Sequence, residues 1–514
     1  MNFASDLLRD RPPEGLALVE LARDGTRREW TFGEVAAESA LMASALRARG
    51  VGRGDVVMTL IGNRPEWVLA MMACFRIGAV VLPCTEQLRA KDLELRLEVA
   101  RPELIVADER NADELEASRP RCEVLWVGAS KKGCPARARA HARGAPPTDI
   151  HIPPLPTDLE EGDPALITFT SGTAGEPKAV VHGQRYLYGQ RNQAEHWLGA
   201  EKGDLVWCTA ASGWSKSARN AWIAPWLMGA TALLHDARFD PRERLDLIER
   251  EQVNILCMAP TEYRVIAKRA QLRPLPSLKG MVAAGEALNP EVLKVWRDAT
   301  GLDIRDGYGQ TETGQMTGMW IGIAARAGSM GRALPGVRLS VRDGELVADP
   351  GSVGTFFLGY LGEGVVRCRG TDGEGRASWR IDDRREDGEW RTGDQVEEDA
   401  DGYLHFEGRA DDVIVSAGYR IGPFEVESAL VSHAAVAEAA AVAAPDDERG
   451  SVVRAIVVLR DGIEPSDALK SELQDHVKAE TAPYKYPRIV DFAAELPKTA
   501  SGKVQRALLR ARLD

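Results

Sequence analysis

The sequence predicts an α/β protein: a large N-terminal part of layered sheets and helices, a β-rich stretch, and a small C-terminal α/β part. Three observations carry this. The chain has 514 residues, too many for one ordinary hydrophobic core. Short apolar runs alternate with amphipathic stretches over much of its length, as in sheets of mostly parallel strands with helical crossovers. After about Gly331 the texture changes to short segments broken by Gly and Asp, the pattern of antiparallel β structure.

In order, LALVEL, Arg-Asp-Gly-Thr and REWTFGEVAAESALMASALRARG read as a strand, a turn at Asp24-Gly25, and a helix opened by Thr31 with Glu34 three residues later. That is the spacing of reciprocal N-terminal capping. DVVMTLIG, AVVLP, ELIVAD and EVLWVG continue the strand series. WVLAMMACFRIGAVVLP, from Trp67, holds Arg76 inside and Pro83 at its end. It reads as a buried helix running into a buried strand, not as a membrane span. Between Pro135 and Pro156, ARARAHARGAPPTDIHIPPLP reads as a solvated surface connector. RLSVRDGELV, GTFFLGYL and DGYLHFEGR form the antiparallel stretch. Beyond Arg409 come helix PFEVESALVSH, strands AEAAAVAAP and SVVRAIVVLR, and helix SDALKSELQDHVKAE; about a hundred residues suffice for a small separate domain.

The 44% hydrophobic and 28% charged composition is that of a globular protein. A net charge of -12 argues against a dedicated nucleic-acid binder. MNFASDLLRDRPPEG has no cationic start followed by an apolar core, so no signal peptide is expected. Seven cysteines without a CxxC pair point to reduced thiols in a cytoplasmic protein. The eight scattered histidines read as structural.

Chemistry concentrates in five stretches. TFTSGTAGEPKAV, Thr168 to Val180, follows the strand PALITFT, where ligands bind in open α/β sheets. Its glycines let backbone N–H groups approach an anion, its hydroxyls add donors, and Lys178 adds charge. It is not a GxxxxGK(S/T) loop: from Gly172 the second glycine falls on Pro177, and Ala179 follows Lys178. It reads as a phosphate loop of another kind, against the alternative of a surface turn. DGYGQTETG, Asp306 to Gly314, offers the Tyr308 ring and the oxygens of Thr311 and Glu312, fit for Mg²⁺, or is a polar turn. WRTGDQVEEDADGYLHFEGR holds Asp394, a carboxylate in a glycine-containing turn able to accept ribose hydroxyls, and Arg409; alone it reads as a surface hairpin. RADDVIVSAGYRIGPFEVE sets paired aspartates between arginines. ELPKTASGKVQRALLRARLD presents Lys503 before a basic helix, which alone is usually a solvated face.

In this order, the five resemble the adenylate-forming (AMP-dependent) acyl-CoA synthetases, the superfamily that also holds firefly luciferases and peptide-synthetase adenylation domains. The resemblance covers essentially the whole chain. TFTSGTAGEPKAV is similar to the family's (Y/F)TSGTTGxPKG; YGQTETG, RTGD, GRxDDxIxxxGYRI and PKTxxGK are similar to its later signatures. It implies an adenylation domain at 1–408, a hinge at 409–411 containing Asp411, and a small mobile C-terminal α+β domain at 412–514. It further implies that a carboxylate attacks the α-phosphate of ATP, and that a thiol, commonly that of CoA, then displaces AMP.

By the same resemblance ATP contacts fall on Thr170, Ser171, Gly172, Thr173, Ala174, Gly175, Glu176, Pro177 and Lys178; on Gly285, Glu286 and Ala287; on Asp306, Gly307, Tyr308, Gly309, Gln310 and Thr311; and on Asp394, Arg409 and Lys503. Lys503, Thr311 and Glu312 are the implied catalytic set, with Glu312 holding Mg²⁺. GEALNPEV, TGLDIRDGYGQTETG and HVKAETAPYKYPR are similar to the medium-chain group. That implies CoA contacts at Gln87, Ala417, Gly418, Tyr419, Arg420, Arg449, Lys478, Tyr486, Pro487 and Arg488, where cations meet CoA phosphates. Ala174, Ala179 and Ala287 depart from the usual Thr, Gly and Pro.

The resemblance also bears on the acid. Amino-acid-activating relatives carry an Asp in the pocket segment, which here reads ASGWSKSARNAW. Acetate-activating relatives carry a Trp before Gln-Thr-Glu-Thr, where this chain has Gly309. The expected substrate is therefore a medium-chain, branched or aryl acid. Trp214 and Trp222 wall the pocket or belong to the core. Lys216 and Arg219 could receive a second polar group but read as helix-surface positions. The expected activity is an acid:CoA ligase using ATP, CoA and a carboxylic acid, with no nucleic-acid partner and no integral membrane segment. The alternative is a stand-alone adenylating enzyme that loads a carrier protein or an amine.

Overall fold

A computed structural model describes residues 1–127, 157–170, 177–285, 288, 290–369, 377–381, 388–409, 412–416, 419–446, 449–499 and 503–511. The surface connector expected at 136–156 lies outside them. Two nine-stranded sheets dominate the described chain. In the first, Val56–Leu60 is flanked in parallel by Val80–Cys84 and Leu104–Asp108, with Glu123–Val127 at the edge. On the other side Val80–Cys84 meets Pro164–Phe169, which turns back antiparallel into Ala179–Gly183. In the second, Leu16–Leu21, Thr231–His235, Leu205–Cys208, Ile255–Met258, Gly280–Ala284 and Ile304–Gln310 run parallel in that order.

Both sheets are covered on both faces, which is why their strands read as near-continuous apolar runs. Successive side chains of a strand point to opposite faces. Thus Leu18 enters a core shared by the two sheets, whereas Val19 packs on the outer face. Val57 enters the same shared core, and Val56 and Met58 face outward. The helix Pro65–Ile77 fills this central layer, buried at nearly every position. Gly78, in the left-handed conformation at φ 74°, ends it and leads into Val80–Cys84. The expected helix-into-strand reading of this segment holds, and no described helix is long and apolar enough to cross a membrane. The helix Phe32–Arg47 begins with both capping bonds: Glu34 N–H to Thr31 Oγ1 at 3.1 Å and Thr31 N–H to Glu34 Oε2 at 2.8 Å.

The antiparallel stretch is a four-stranded sheet of Leu339–Arg342, Glu345–Ala348, Trp390–Glu398 and Leu404–Arg409. GTFFLGYL does not join it. Only Gly359–Leu361 is extended, and it pairs with Val180 and Val181 of the first large sheet. The C-terminal part is a three-stranded sheet, Val436–Asp446, Gly450–Leu459 and Ile489–Phe492, with the helices Pro423–Ser432 and Asp467–Glu480 packed into its own core.

Candidate active site

A cavity of about 1840 Å³ lies where the ends of several strands meet the C-terminal part. Its walls include Thr170, Lys178, Gly285, Asp306 through Glu312, Asp394, Arg409 and Lys503, together with Gln87 and Trp214. Residues far apart in sequence are thus brought to one place.

The phosphate-loop candidate is closed at its base. Thr170 N–H donates to the Lys178 carbonyl, and Lys178 N–H donates to Thr170 Oγ1, both at 2.9 Å. Ser171, Gly172, Thr173, Ala174, Gly175 and Glu176 lie outside the described residues, as do Glu286 and Ala287. Pro177 is described but is not part of the cavity wall. Lys178 Nζ stands 4.7 Å over the Tyr360 ring, and Tyr360 Oη donates to Glu312 Oε1 at 2.8 Å. Burial and Glu312 push the Tyr360 phenol above its ordinary range, so it stays a donor. Sequence reasoning missed Tyr360. No local signal marks it: its place comes from Gly359–Leu361 pairing with the strand directly after the loop.

Asp394 is 3% exposed. The Tyr308 hydroxyl and Gln310 Nε2 both donate to its Oδ2, the latter at 2.8 Å. Gln310 is held in turn by its second bond, to the Thr392 carbonyl at 2.7 Å, and by Trp390 Nε1, which donates to Gln310 Oε1 at 3.0 Å. Arg409, directly opposite Asp394 across the strand pair, puts Nη1 3.5 Å from Asp394 Oδ1. Burial raises the Asp394 pKa, while Arg409, the two hydrogen bonds and the charge of Lys503 oppose the rise. Asp306 has less support: burial pushes its carboxyl up to about 7, against backbone N–H bonds from Gly307 and Leu288.

Gly309 packs tightly. A Cβ there would fall 1.8 Å from the Gly314 carbonyl oxygen of the neighbouring strand. A side chain at this position therefore meets backbone before it meets open cavity.

The strand carrying Arg409 ends there, and the N–H groups of Asp412 and Val413 both donate to the Arg409 carbonyl at 2.9 Å. The Asp412 carboxylate pairs with Arg510 at 2.6 Å, on the last described helix, Arg506–Ala511. Asp411 lies outside the described residues. Lys503 is held by backbone bonds to Thr499.

The CoA candidates divide. Gln87 lines the cavity, whereas Tyr419, Arg449, Lys478, Tyr486, Pro487 and Arg488 do not. Lys478 Nζ and Arg488 Cζ lie 4.4 and 5.0 Å from the Tyr486 ring centre, and Tyr419 stacks on Tyr484 at 4.3 Å. Ala417, Gly418 and the Arg420 side chain are outside the described structure. Trp222 is core, fully buried against Phe75 and Trp226. Lys216 and Arg219 correct the surface reading. Both line the cavity, and Arg219 is only 5% exposed. Their segment leads into the layer between the sheets, with Ser217 through Leu227 all buried, so it has no broad solvent face. His182 is a buried, neutral histidine, its pKa pushed down to about 3 by burial.

Among the described residues no cluster of three or more His, Cys, Asp or Glu side chains could cage a metal. Mg²⁺ does not require one, because it is commonly held by one or two carboxylates plus substrate phosphates. Glu312, in the cavity wall with Lys178 and Thr311, fits that role.

Residues 9–367 match the AMP-binding enzyme family, and residues 425–503 match the AMP-binding enzyme C-terminal domain. The chain is 37% identical to the uncharacterized acyl–CoA ligase YtcI of Bacillus subtilis (strain 168), over 96% of this chain and 93% of that one. It is 38% identical to the mitochondrial acyl-coenzyme A synthetase ACSM3 of Mus musculus, over 95% and 85%. The crystal structure of the anthranilate CoA ligase AuaEII, in complex with anthranoyl-AMP, superposes with a TM-score of 0.81 at 28% identity, over 100% of this chain and 97% of that one. The chain belongs to the AMP-binding enzyme family, among its ATP-dependent, AMP-forming acid:CoA ligases.

Proposed function

We propose that this ligase activates a medium-chain, branched or aryl acid in the cavity built around Asp394, Tyr308, Gln310 and Lys503. The observation that carries the reading is the convergence on Asp394. One buried carboxylate is held by Tyr308, Gln310 and Arg409, with the charge of Lys503 acting on it from another stretch of chain. An ionised carboxylate has about four acceptor sites; Tyr308 and Gln310 take the two on Oδ2, and the two on Oδ1, which Arg409 faces as an ion pair at 3.5 Å, can accept the ribose hydroxyls. Tyr308 and Gly309 would flank the adenine.

All reacting groups are anionic, so the protein's task is positioning and charge neutralisation. Lys178 and the loop it closes hold the terminal phosphates. Lys503, a compact charge on a flexible stem, draws the acid's carboxylate to the α-phosphate. A carboxylate oxygen bonds to the α-phosphorus and pyrophosphate leaves; the CoA sulfur then bonds to the acyl carbon, and AMP leaves with the bonding pair. Mg²⁺, when bound at Glu312, supplies further neutralisation of the phosphates. The hinge at 409–411 lets the C-terminal domain, 412–514, withdraw Lys503 between the two steps. AuaEII, whose name specifies an aryl acid, supports an acid larger than acetate. Among the described residues Cys74, Cys84, Cys122, Cys208 and Cys257 are free, which supports a cytoplasmic, reducing location.

The test is release of pyrophosphate and AMP from ATP and Mg²⁺, with acids from acetate to decanoate plus benzoate, each with and without CoA. CoA-dependent AMP formation peaking beyond acetate is expected. Pyrophosphate release without CoA-dependent turnover would shift the assignment to a carrier-protein or amine acceptor.

A further inference from the structure

Two cations stand in the wall of the cavity with no carboxylate partner among the described residues. Lys216 and Arg219 are three residues apart on the helical segment beginning at Ser215, beside Trp214. Lys216 is half-buried, and its Nζ donates to the Ala284 carbonyl at 3.2 Å. An ammonium has three N–H donors, so this bond leaves the group able to bind more. Arg219 is 95% buried, and its Nε and Nη1 have no hydrogen-bond partner. Its Nη1 lies behind Gly314, 3.3 Å from where a Cβ there would be.

A guanidinium does not lose its proton in a protein, and a buried charge without a partner is costly. A pocket meant only for a hydrocarbon chain gains nothing from two cations, since an apolar chain strips their water and returns no hydrogen bond. Three carboxylates of the wall already have partners: Glu262 with Arg244 and Thr209, Asp236 with Arg110, and Asp394 with Arg409. The positive charge at 216 and 219 is left for something that enters.

We propose that this charge receives a second carboxylate carried by the substrate, so that the acid activated here is a dicarboxylic acid. Lys216 meets the second carboxylate, and Arg219 lends its charge from behind. The first carboxylate is the one that reacts, beside Thr311 and Lys503. This inference rests on the acid:CoA ligase reading of the same cavity and narrows its substrate class.

The experiment compares acids matched in length, hexanoate with adipate and octanoate with suberate, by CoA-dependent AMP formation with the full-length enzyme. Wild-type enzyme is expected to favour the diacid by about tenfold or more in kcat/KM, the scale of one hydrogen bond to a charged group. Lys216→Met and Arg219→Met should each lower the diacid-to-monoacid ratio at least about tenfold, through KM of the diacid, and Arg219→Lys should restore part of it. If Arg219→Met does not fold, the wild-type preference and the Lys216→Met ratio decide. A wild-type preference for the monoacid, or an unchanged ratio in Lys216→Met and Arg219→Met, overturns the proposal and leaves the ligase reading standing. No AMP from any acid, with ATP still bound, overturns the ligase reading and this inference with it.

Discussion

Replacing Gly309 by alanine is expected to damage the nucleotide site and the fold together. The added Cβ would lie 1.8 Å from the Gly314 carbonyl oxygen, 2.7 Å from its carbon and 3.0 Å from the Gln315 Cα. All three are backbone or Cα atoms, so no flexible side chain can swing away. The strand Gly314–Gly318 would have to retreat by about 1.2 Å to reach even the 3.0 Å limit below which real Cβ contacts essentially vanish. Overpacking of this kind costs about 1–3 kcal/mol. The shift also moves Tyr308 and Gln310, the two donors to Asp394. A displacement near 1 Å in a positioned site can cost about a hundredfold in rate. Urea unfolding should therefore show a loss of about 1–3 kcal/mol, and kcat/KM for ATP should fall by about ten- to a hundredfold whatever acid is supplied. Wild-type stability and wild-type ATP kinetics, with only a shift toward shorter acids, would show that position 309 opens into the acyl pocket and refute the packing argument.

Four further outcomes are expected. Lys503→Ala should cripple adenylation yet spare thioester formation from pre-made acyl-adenylate; equal loss of both steps in single-turnover assays would remove the assigned role. Asp394→Asn keeps the size but loses the charge facing Arg409, and should raise KM for ATP more than KM for CoA; a uniform effect on both would point to a general structural loss. Tyr360→Phe deletes the bond to Glu312 and should cost about 0.5–1.5 kcal/mol of transition-state binding, roughly two- to tenfold in kcat/KM, with the deficit visible in a Mg²⁺ titration. Asp306 holds its proton in the folded state up to about pH 7, against an ordinary value of 3.8. Its contribution to stability is therefore complete below about pH 4 and is lost as pH rises toward 7, so nucleotide-free stability should fall across that window and Asp306→Asn should flatten the fall.

Much of the fold was legible because local chemistry and tertiary burial agree. Thr31 and Glu34 cap the helix they announce, and the apolar run from Trp67 becomes a helix stopped by Gly78 and a strand. The nucleotide-site candidates were legible because they recur as contiguous motifs. What the chain concealed depends on partners distant in sequence. Tyr360 looks like one more aromatic in a β-rich stretch until Gly359–Leu361 pairs with Val180 and Val181, nearly 180 residues earlier, and brings its hydroxyl to Glu312. Lys216 and Arg219 read as surface charges because polar residues surround them in SKSARN. Nothing local reports that the segment leads between two sheets. Gly309 was legible as a missing side chain but not as a point of backbone contact, since that depends on a bulge between the paired strands at Tyr308 and Gly309.

Arg409 faces two ways. Its side chain balances the charge of the carboxylate assigned to the ribose, and its carbonyl receives the first N–H groups beyond the proposed hinge. Under the proposed domain rotation, a change in the ionic balance at Asp394 would therefore be felt at the residue where the chain turns. A substitution at Arg409 would thus be misread as a binding defect alone. It would also blur the timing between the two half-reactions, letting the C-terminal domain turn before the adenylate is made or linger after AMP has gone.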